Sequence, residues 1–132
     1  MSEIASFQSE TREWLETNCP KSMRARSFHW EDAHEIYDTN EARQWLARMA
    51  ERGWTAPTWP KAYGGGGLTA EEAGVLGQEM SRLRAVAPTS GMGLTMIGPT
   101  LLEFGTEAQK QRHIPRIVSG EVSWCQGYSE PG

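Results

Sequence analysis

The stretch Thr106-Glu107-Ala108-Gln109-Lys110-Gln111-Arg112-His113-Ile114-Pro115-Arg116-Ile117-Val118-Ser119-Gly120-Glu121-Val122-Ser123-Trp124-Cys125 changes its hydrophobic period partway along. Thr106 with Gln109 reads as a capping box, in which two side chains satisfy backbone N–H groups left free at a helix start. Gln111, Ile114, Ile117 and Val118 follow at helical spacing, with a bend expected at Pro115, which lacks an N–H, and a stop at Gly120. After Glu121, Val122 and Trp124 alternate with Ser123 and Cys125, the period of a strand. A lone strand leaves its backbone groups without ladder partners. Two readings follow: a helical domain cut at its junction with a β domain, or a subunit that borrows a sheet from a partner.

Working outward, the rest of the chain is helical in pattern. Ile4, Phe7, Thr11, Trp14 and Leu15 predict an amphipathic helix behind Ser2, a candidate N-cap, ending near Asn18-Cys19-Pro20. Lys21 to Tyr37 has no clear period and reads as loop, with a short helix around Glu31 to Tyr37. Asp38 and Glu41 resemble a capping box for a helix whose stripe is Ala42, Trp45, Leu46, Met49 and Ala50 and which stops at Gly53. Gly53 to Gly67 holds two prolines and a run of glycines, and predicts a long ordered loop. Thr69 and Glu72 form a second capping box ahead of Ala73, Leu76, Met80 and Leu83. Gly74 and Gly77 each cost about 1 kcal/mol relative to Ala in that helix, so close packing against another helix is expected there. Thr89 to Phe104 reads as an apolar helix kinked at Pro99 and ended by Gly105. The expected architecture is mostly α, with a helical domain over 1–120 and the start of a β domain over 121–132.

Charge and composition exclude several classes. Thirteen Lys+Arg against 17 Asp+Glu give a net charge of −4, which offers no basic stripe for nucleic acid or an anionic membrane. No apolar run reaches the roughly 20 residues needed to span a bilayer, and Met1-Ser2-Glu3-Ile4 lacks the character of a signal peptide, so a cytoplasmic protein is expected. Cys19 and Cys125, far apart and outside any CxxC pattern, point to plain thiols rather than a disulfide or zinc site.

The candidate motifs have bland readings beside the sharp ones. Gly64 to Gly67 could cradle a phosphate, yet no GK[ST] ending follows, and a flexible or tightly turning connection is favoured. His29, His34 and His113 stand in no ligand or catalytic spacing, and His113 reads as a solvated surface residue. Trp14 and Trp45 lie on apolar helix faces and belong to a core, whereas Trp54 and Trp59, in the loop, are not assigned by pattern. Adjacent acids, Glu31-Asp32 and Glu71-Glu72, do not face one another on a helix and read as solvated. The last segment, Trp124 to Gly132, runs a strand into a hydroxyl, an acid and a Pro-Gly turn. That arrangement suits either a polar ring edge or an ordinary strand-to-turn transition.

Three stretches together carry a resemblance to a known family: Gly53-Trp54 through Pro57, Trp59-Pro60 and Tyr63-Gly64-Gly65-Gly66-Gly67-Leu68; Leu101-Leu102-Glu103-Phe104-Gly105-Thr106-Glu107-Ala108-Gln109-Lys110-Gln111 through Ile114-Pro115 and Gly120-Glu121; and Trp124-Cys125-Gln126-Gly127-Tyr128-Ser129-Glu130-Pro131-Gly132. The chain resembles the N-terminal part of an acyl-CoA dehydrogenase. The resemblance implies a helical N-terminal domain leading into a middle β domain and a C-terminal helical domain, which would supply the sheet the strand lacks. It implies FAD as cofactor, with Gln126 and Tyr128 touching the isoalloxazine and Ser129 hydrogen-bonding its polar edge, donors of the kind that stabilise negative charge on a reduced ring. It implies that the helix containing Met96, Ile97, Thr100 and Leu101 lines the acyl-chain pocket, although a core role is an equally open reading for each of them.

The resemblance further implies α,β-desaturation of an acyl-CoA thioester, by proton abstraction coupled to hydride transfer. The partners it implies are acyl-CoA, dehydrogenase subunits in a homo- or hetero-oligomer, and an electron-transferring flavoprotein as acceptor. Departures from the family pattern are that the chain stops before the expected Gly-Ser-Asp run and contains no residue that matches the glutamate base, so no catalytic residue is nominated. A different class of function stays open beside it: a non-catalytic helical interaction subunit that assembles with a full-length dehydrogenase chain.

Overall fold

Leu15, Trp45 and Met49, all buried, are the side chains around which the first helices meet. The computed structural model describes residues 3–24, 37–89 and 93–122. Within them lie five α-helices: α1 (Glu3–Asn18), α2 (Asn40–Glu51), α3 (Ala70–Leu83), α4 (Gly98–Phe104) and α5 (Glu107–Val118). Single 3₁₀ turns form at Lys21–Met23 and Lys61–Tyr63, and a π-helical turn over Gly93–Ile97 leads into α4. The protein is mostly helical, as the periodicity predicts, and among the described residues the β structure is one isolated bridge, Arg24 to Ala85. Of the strand expected after Glu121, only Val122 is described; Ser123, Trp124 and Cys125 lie outside the described residues.

Two apolar clusters form the interior. The larger joins Leu15, Cys19, Met23, Ala42, Trp45, Met49, Trp54 and Leu76 from α1 and the segment that follows it, α2, the loop after α2, and α3. Its aromatic rings meet at angles that suit their quadrupoles: Trp14 and Trp54 are 5.1 Å apart at 72°, Phe7 and Trp54 6.4 Å apart at 70°. The Arg52 guanidinium caps this stack, 4.3 Å from the Trp54 ring and 4.9 Å from Trp14. Trp54, unassigned by pattern, is therefore core. The smaller cluster, Ala56, Ile114 and Val118, is covered by Trp59, Tyr63, Leu94, Leu101 and Leu102 and unites the loop with α4 and α5.

α1 and α3 are locked by a carboxylate that the apolar pattern does not reveal. Glu79, 2% exposed, accepts from Arg12 Nε and Nη2 at 2.9 Å each, Arg82 Nε at 2.9 Å and Gln8 Nε2 at 3.1 Å. The Arg12 hydrogen bonds, with those from Arg82 and Gln8, outweigh burial and lower its carboxyl pKa to about 2. Arg82 also reaches Glu16 at 2.6 Å, which extends the cluster along α1.

Several local expectations are corrected. The cap of α2 is Thr39, whose hydroxyl accepts from Ala42 N at 3.0 Å, and not Asp38, which pairs with Arg43. Both other capping boxes form as expected, at Thr69/Glu72 and Thr106/Gln109. Gly74 and Gly77 do not mediate close packing: a Cβ at either would meet nothing within 4 Å. Pro99 sits at the second position of α4, directly after the π turn, so the helical path changes from π to α geometry beside it where the sequence predicts a kink in one α-helix. Pro115 lies exposed inside α5, which runs through it as one element. His113 is half-buried.

Candidate functional site

The loop from Gly53 to Leu68 turns tightly on itself. The amides of Gly64, Gly65, Gly66, Gly67 and Leu68 donate to the carbonyls of Lys61, Pro60, Ala56, Trp59 and Pro57 at 2.8–3.1 Å. Every N–H that a phosphate would need is thus already used within the chain. Of the two roles open to the glycines, the geometry selects the tight turn: a Cβ on Gly65 would stand 2.3 Å from the Trp59 carbonyl oxygen.

The π turn and α4 together carry the residues expected to face an acyl chain, Met96 and Ile97 in the turn and Thr100 and Leu101 in α4, and the structure divides them. Met96, 48% exposed, and Thr100 fall four residues apart on one face, which continues to Phe104, 77% exposed. The Thr100 hydroxyl donates to the Met96 carbonyl at 2.8 Å, so the stripe presents a thioether, a methyl and a ring with its one hydroxyl already paired. Ile97 and Leu101 are half-buried, and Leu101 packs inward on the smaller cluster. Such a stripe can contact an apolar surface and carries no acid or base.

α4 and α5 are joined by two residues, Gly105 and Thr106, and pack together as a hairpin. The end of α5 therefore returns to the Met96 end of α4. There Thr55 Oγ1 donates to the Val118 carbonyl at 2.6 Å. Gly120 takes a φ of 75°, and a Cβ on it would stand 2.7 Å from Leu46 Cδ2. Glycine is what this exit requires. Gln126, Tyr128 and Ser129, the three residues expected against a flavin, lie outside the described residues together with His29, His34 and Cys125. No described residue is a candidate flavin ligand.

Pattern reading did not find an apolar cleft of about 260 Å³ between the end of α2, the loop and α3, whose walls include Met49, Trp54, Pro57, Met80 and Pro88. No titratable side chain lines it. Its walls come from four separate segments, so no single stretch of sequence carries its signature. The exposed Tyr63 hydroxyl donates to Glu107 Oε2 at 2.6 Å, which ties the loop to the first turn of α5, raises the Tyr63 pKa and lowers that of Glu107. Among the described residues, no group of three or more His, Cys, Asp and Glu is placed to hold a metal ion, and no helix is long and apolar enough to cross a membrane.

Comparison with known proteins identifies the arrangement. Residues 2–121 match the family model described as acyl-CoA dehydrogenase, N-terminal domain. The chain is 35% identical over its whole length to acyl-CoA dehydrogenase IpdE1 of Mycobacterium tuberculosis, and covers 34% of that protein. Among solved structures it is similar to a chain of the ChsE4-ChsE5 complex from Mycobacterium tuberculosis (TM-score 0.66, 29% identity, 100% of this chain and 31% of that one). It is also similar to a chain of the Tcur3481-Tcur3483 steroid ACAD (TM-score 0.65, 28% identity, 98% of this chain and 32% of that one). The chain thus spans about a third of the length of these relatives. With its capped α5 and turned glycine loop inside the matched region, the chain belongs to the acyl-CoA dehydrogenase family, in which it corresponds to the N-terminal helical domain.

Proposed function

We propose that this chain is the helical N-terminal part of an FAD-dependent acyl-CoA dehydrogenase, with its helical domain ending at Gly120 and the middle β domain beginning at Glu121. The observation that carries the reading is the full-length similarity to IpdE1, 35% over 132 residues. The exposed Met96–Thr100–Phe104 stripe supports it, because an apolar, uncharged surface suits a hydrocarbon. Desaturation takes a proton from Cα and a hydride from Cβ of the thioester, and FAD, when bound, supplies the two-electron acceptor. Within this chain Met96, Ile97, Thr100 and Leu101 would shape the wall against the acyl group, and Gln126, Tyr128 and Ser129 would hold the flavin's polar edge. The glutamate base would come from outside the chain, so the chain by itself would be inactive.

The site would be completed by further dehydrogenase sequence. Two relatives are solved as complexes of two named chains, ChsE4-ChsE5 and Tcur3481-Tcur3483, which supports a hetero-oligomer for this protein as well. An electron-transferring flavoprotein would reoxidise the reduced cofactor. The test is to co-express the protein with its genomic neighbours, purify the assembly, and follow bleaching of the flavin absorbance on adding acyl-CoA thioesters. Anaerobic bleaching that needs the assembly is the expected result. A flavin-free assembly inert toward every acyl-CoA would leave only the non-catalytic interaction subunit.

A further inference from the structure

Gly93–Ile97 forms a π-helical turn directly before α4. A π turn holds more residues than an α turn, is rare, and persists only where surrounding contacts hold it. Here those contacts converge on Gly98. A Cβ built on Gly98 would lie 2.1 Å from Trp59 Cη2, 2.7 Å from Trp59 Cζ2 and 2.6 Å from the Gly93 carbonyl oxygen. The six-membered edge of the Trp59 indole thus rests against bare backbone at the junction between the π turn and α4.

Trp59 is itself held from below. Its backbone N–H donates to the Ala56 carbonyl at 3.2 Å and its backbone carbonyl accepts from Gly67 N at 2.9 Å. Gly65 passes so close that a Cβ there would stand 2.6 Å from Trp59 Cβ. The glycine run therefore seats a tryptophan, and the tryptophan in turn bears on the helix that carries Met96 and Thr100. These contacts link the loop at Gly65 to the exposed stripe through two side-chain-free positions and one indole.

The register of the segment ahead of the stripe depends on that link. Successive residues on an α-helix are rotated by roughly 100°, so relaxing the π turn to α geometry by one residue would swing the start of the turn by about that angle relative to α4. Met96 keeps the face it shares with Thr100, four residues on, but Leu94, at the start of the turn and packed on the smaller cluster, would be turned off that cluster. We propose that Trp59 is a positioning residue for acyl-group selection: pressed on Gly98, it holds the π turn and so fixes whether Leu94 stays on the smaller cluster or joins the apolar face that Met96 and Thr100 offer to the acyl chain. The assignment rests on the functional reading above and adds to it a determinant of acyl shape.

The test uses the flavin-loaded assembly that contains this chain, with octanoyl-CoA as a slender thioester and 3-cyclohexylpropanoyl-CoA as a wide one. Trp59→Leu is expected to change the ratio of kcat/KM between the two by about tenfold, within the range that a reshaped apolar pocket gives. Trp59→Phe, which keeps a ring in the seat, is expected to stay within about threefold of wild type. Gly98→Ala, whose methyl would meet both the indole and the Gly93 carbonyl oxygen, should alter the ratio as Trp59→Leu does, and the double variant should change it by less than the product of the two single effects, because both act on the same turn. A structural readout accompanies the kinetics: amide exchange over residues 97–104 should accelerate by about tenfold in Trp59→Leu while exchange in α1 and α3 is unchanged. An equal fall with both thioesters, or an unmoved ratio, would overturn the proposal. A wild-type assembly inert toward both thioesters would overturn the functional reading itself, an outcome distinct from an active enzyme whose preference ignores Trp59.

Discussion

The two apolar clusters differ in how completely they are enclosed. The larger, around Trp45, has three helices and the loop on its sides, an arginine lid over Trp14 and Trp54, and a buried carboxylate clamp between α1 and α3. The smaller has three buried side chains, and the helix above it turns Met96 and Phe104 outward. Burying apolar surface is the main favourable term in folding, so the first region has the interactions to stand alone, whereas the second keeps an apolar face for something else to cover. One half of the domain is an enclosed scaffold, and the other leaves open the apolar stripe that we propose as the acyl wall.

The sharpest way to break that contrast is to empty the scaffold. Trp45 is fully buried and its indole N–H donates to the Val86 carbonyl at 2.9 Å. Trp45→Ala should cost about 3–5 kcal/mol in urea unfolding, by lost burial and a remaining cavity. A loss below about 1 kcal/mol would mean that this cluster is not the scaffold.

Next in size is the carboxylate clamp. Glu79→Gln should destabilise by about 2–3 kcal/mol, less than a fully buried pair because Arg12 and Arg82 are both partly exposed. The pH dependence has a definite sign. A carboxyl held at about 2 when folded, against an ordinary 4.5, contributes its stability fully above pH 4.5 and loses it as pH falls toward 2. Urea midpoints for wild type should therefore drop between pH 4.5 and 2 more steeply than those of Glu79→Gln, whose amide does not titrate.

The legibility of the two regions in the sequence differs for related reasons. Helix positions and two capping boxes were readable because periodicity and the Thr-x-x-Glu and Thr-x-x-Gln patterns are local. Glu79 was not, since a glutamate on a helix normally faces solvent and its partners Gln8 and Arg12 come from 71 and 67 positions away. Trp54 and Trp59 sit in a loop with no period, and only the fold shows that one fills the core and the other seats under α4. The misplaced α2 cap is a contest between neighbours, Asp38 and Thr39, that spacing alone does not decide. Gly74 and Gly77 invite a packing argument that tertiary structure does not honour.

Smaller effects sharpen the comparison. Thr106→Ala removes one side of the capping box that starts α5 and should cost about 1 kcal/mol, measurable as a shift in Tm. Gly74→Ala and Gly77→Ala should each stabilise by about 0.5–1 kcal/mol, since both are exposed helix-interior glycines with open space at Cβ. Smallest of all, Phe104→Ser should leave chemical unfolding of this chain unchanged to within about 0.5 kcal/mol. A large loss there would show that the exposed stripe belongs to the scaffold after all.

The central claim, that this domain contributes to a flavin site completed by sequence beyond it, is tested most directly by the visible absorption spectrum of the purified 132-residue chain beside that of the co-expressed assembly. The account predicts no retained flavin on the chain alone and stoichiometric FAD on the assembly. A monomeric chain that keeps FAD through gel filtration would contradict it.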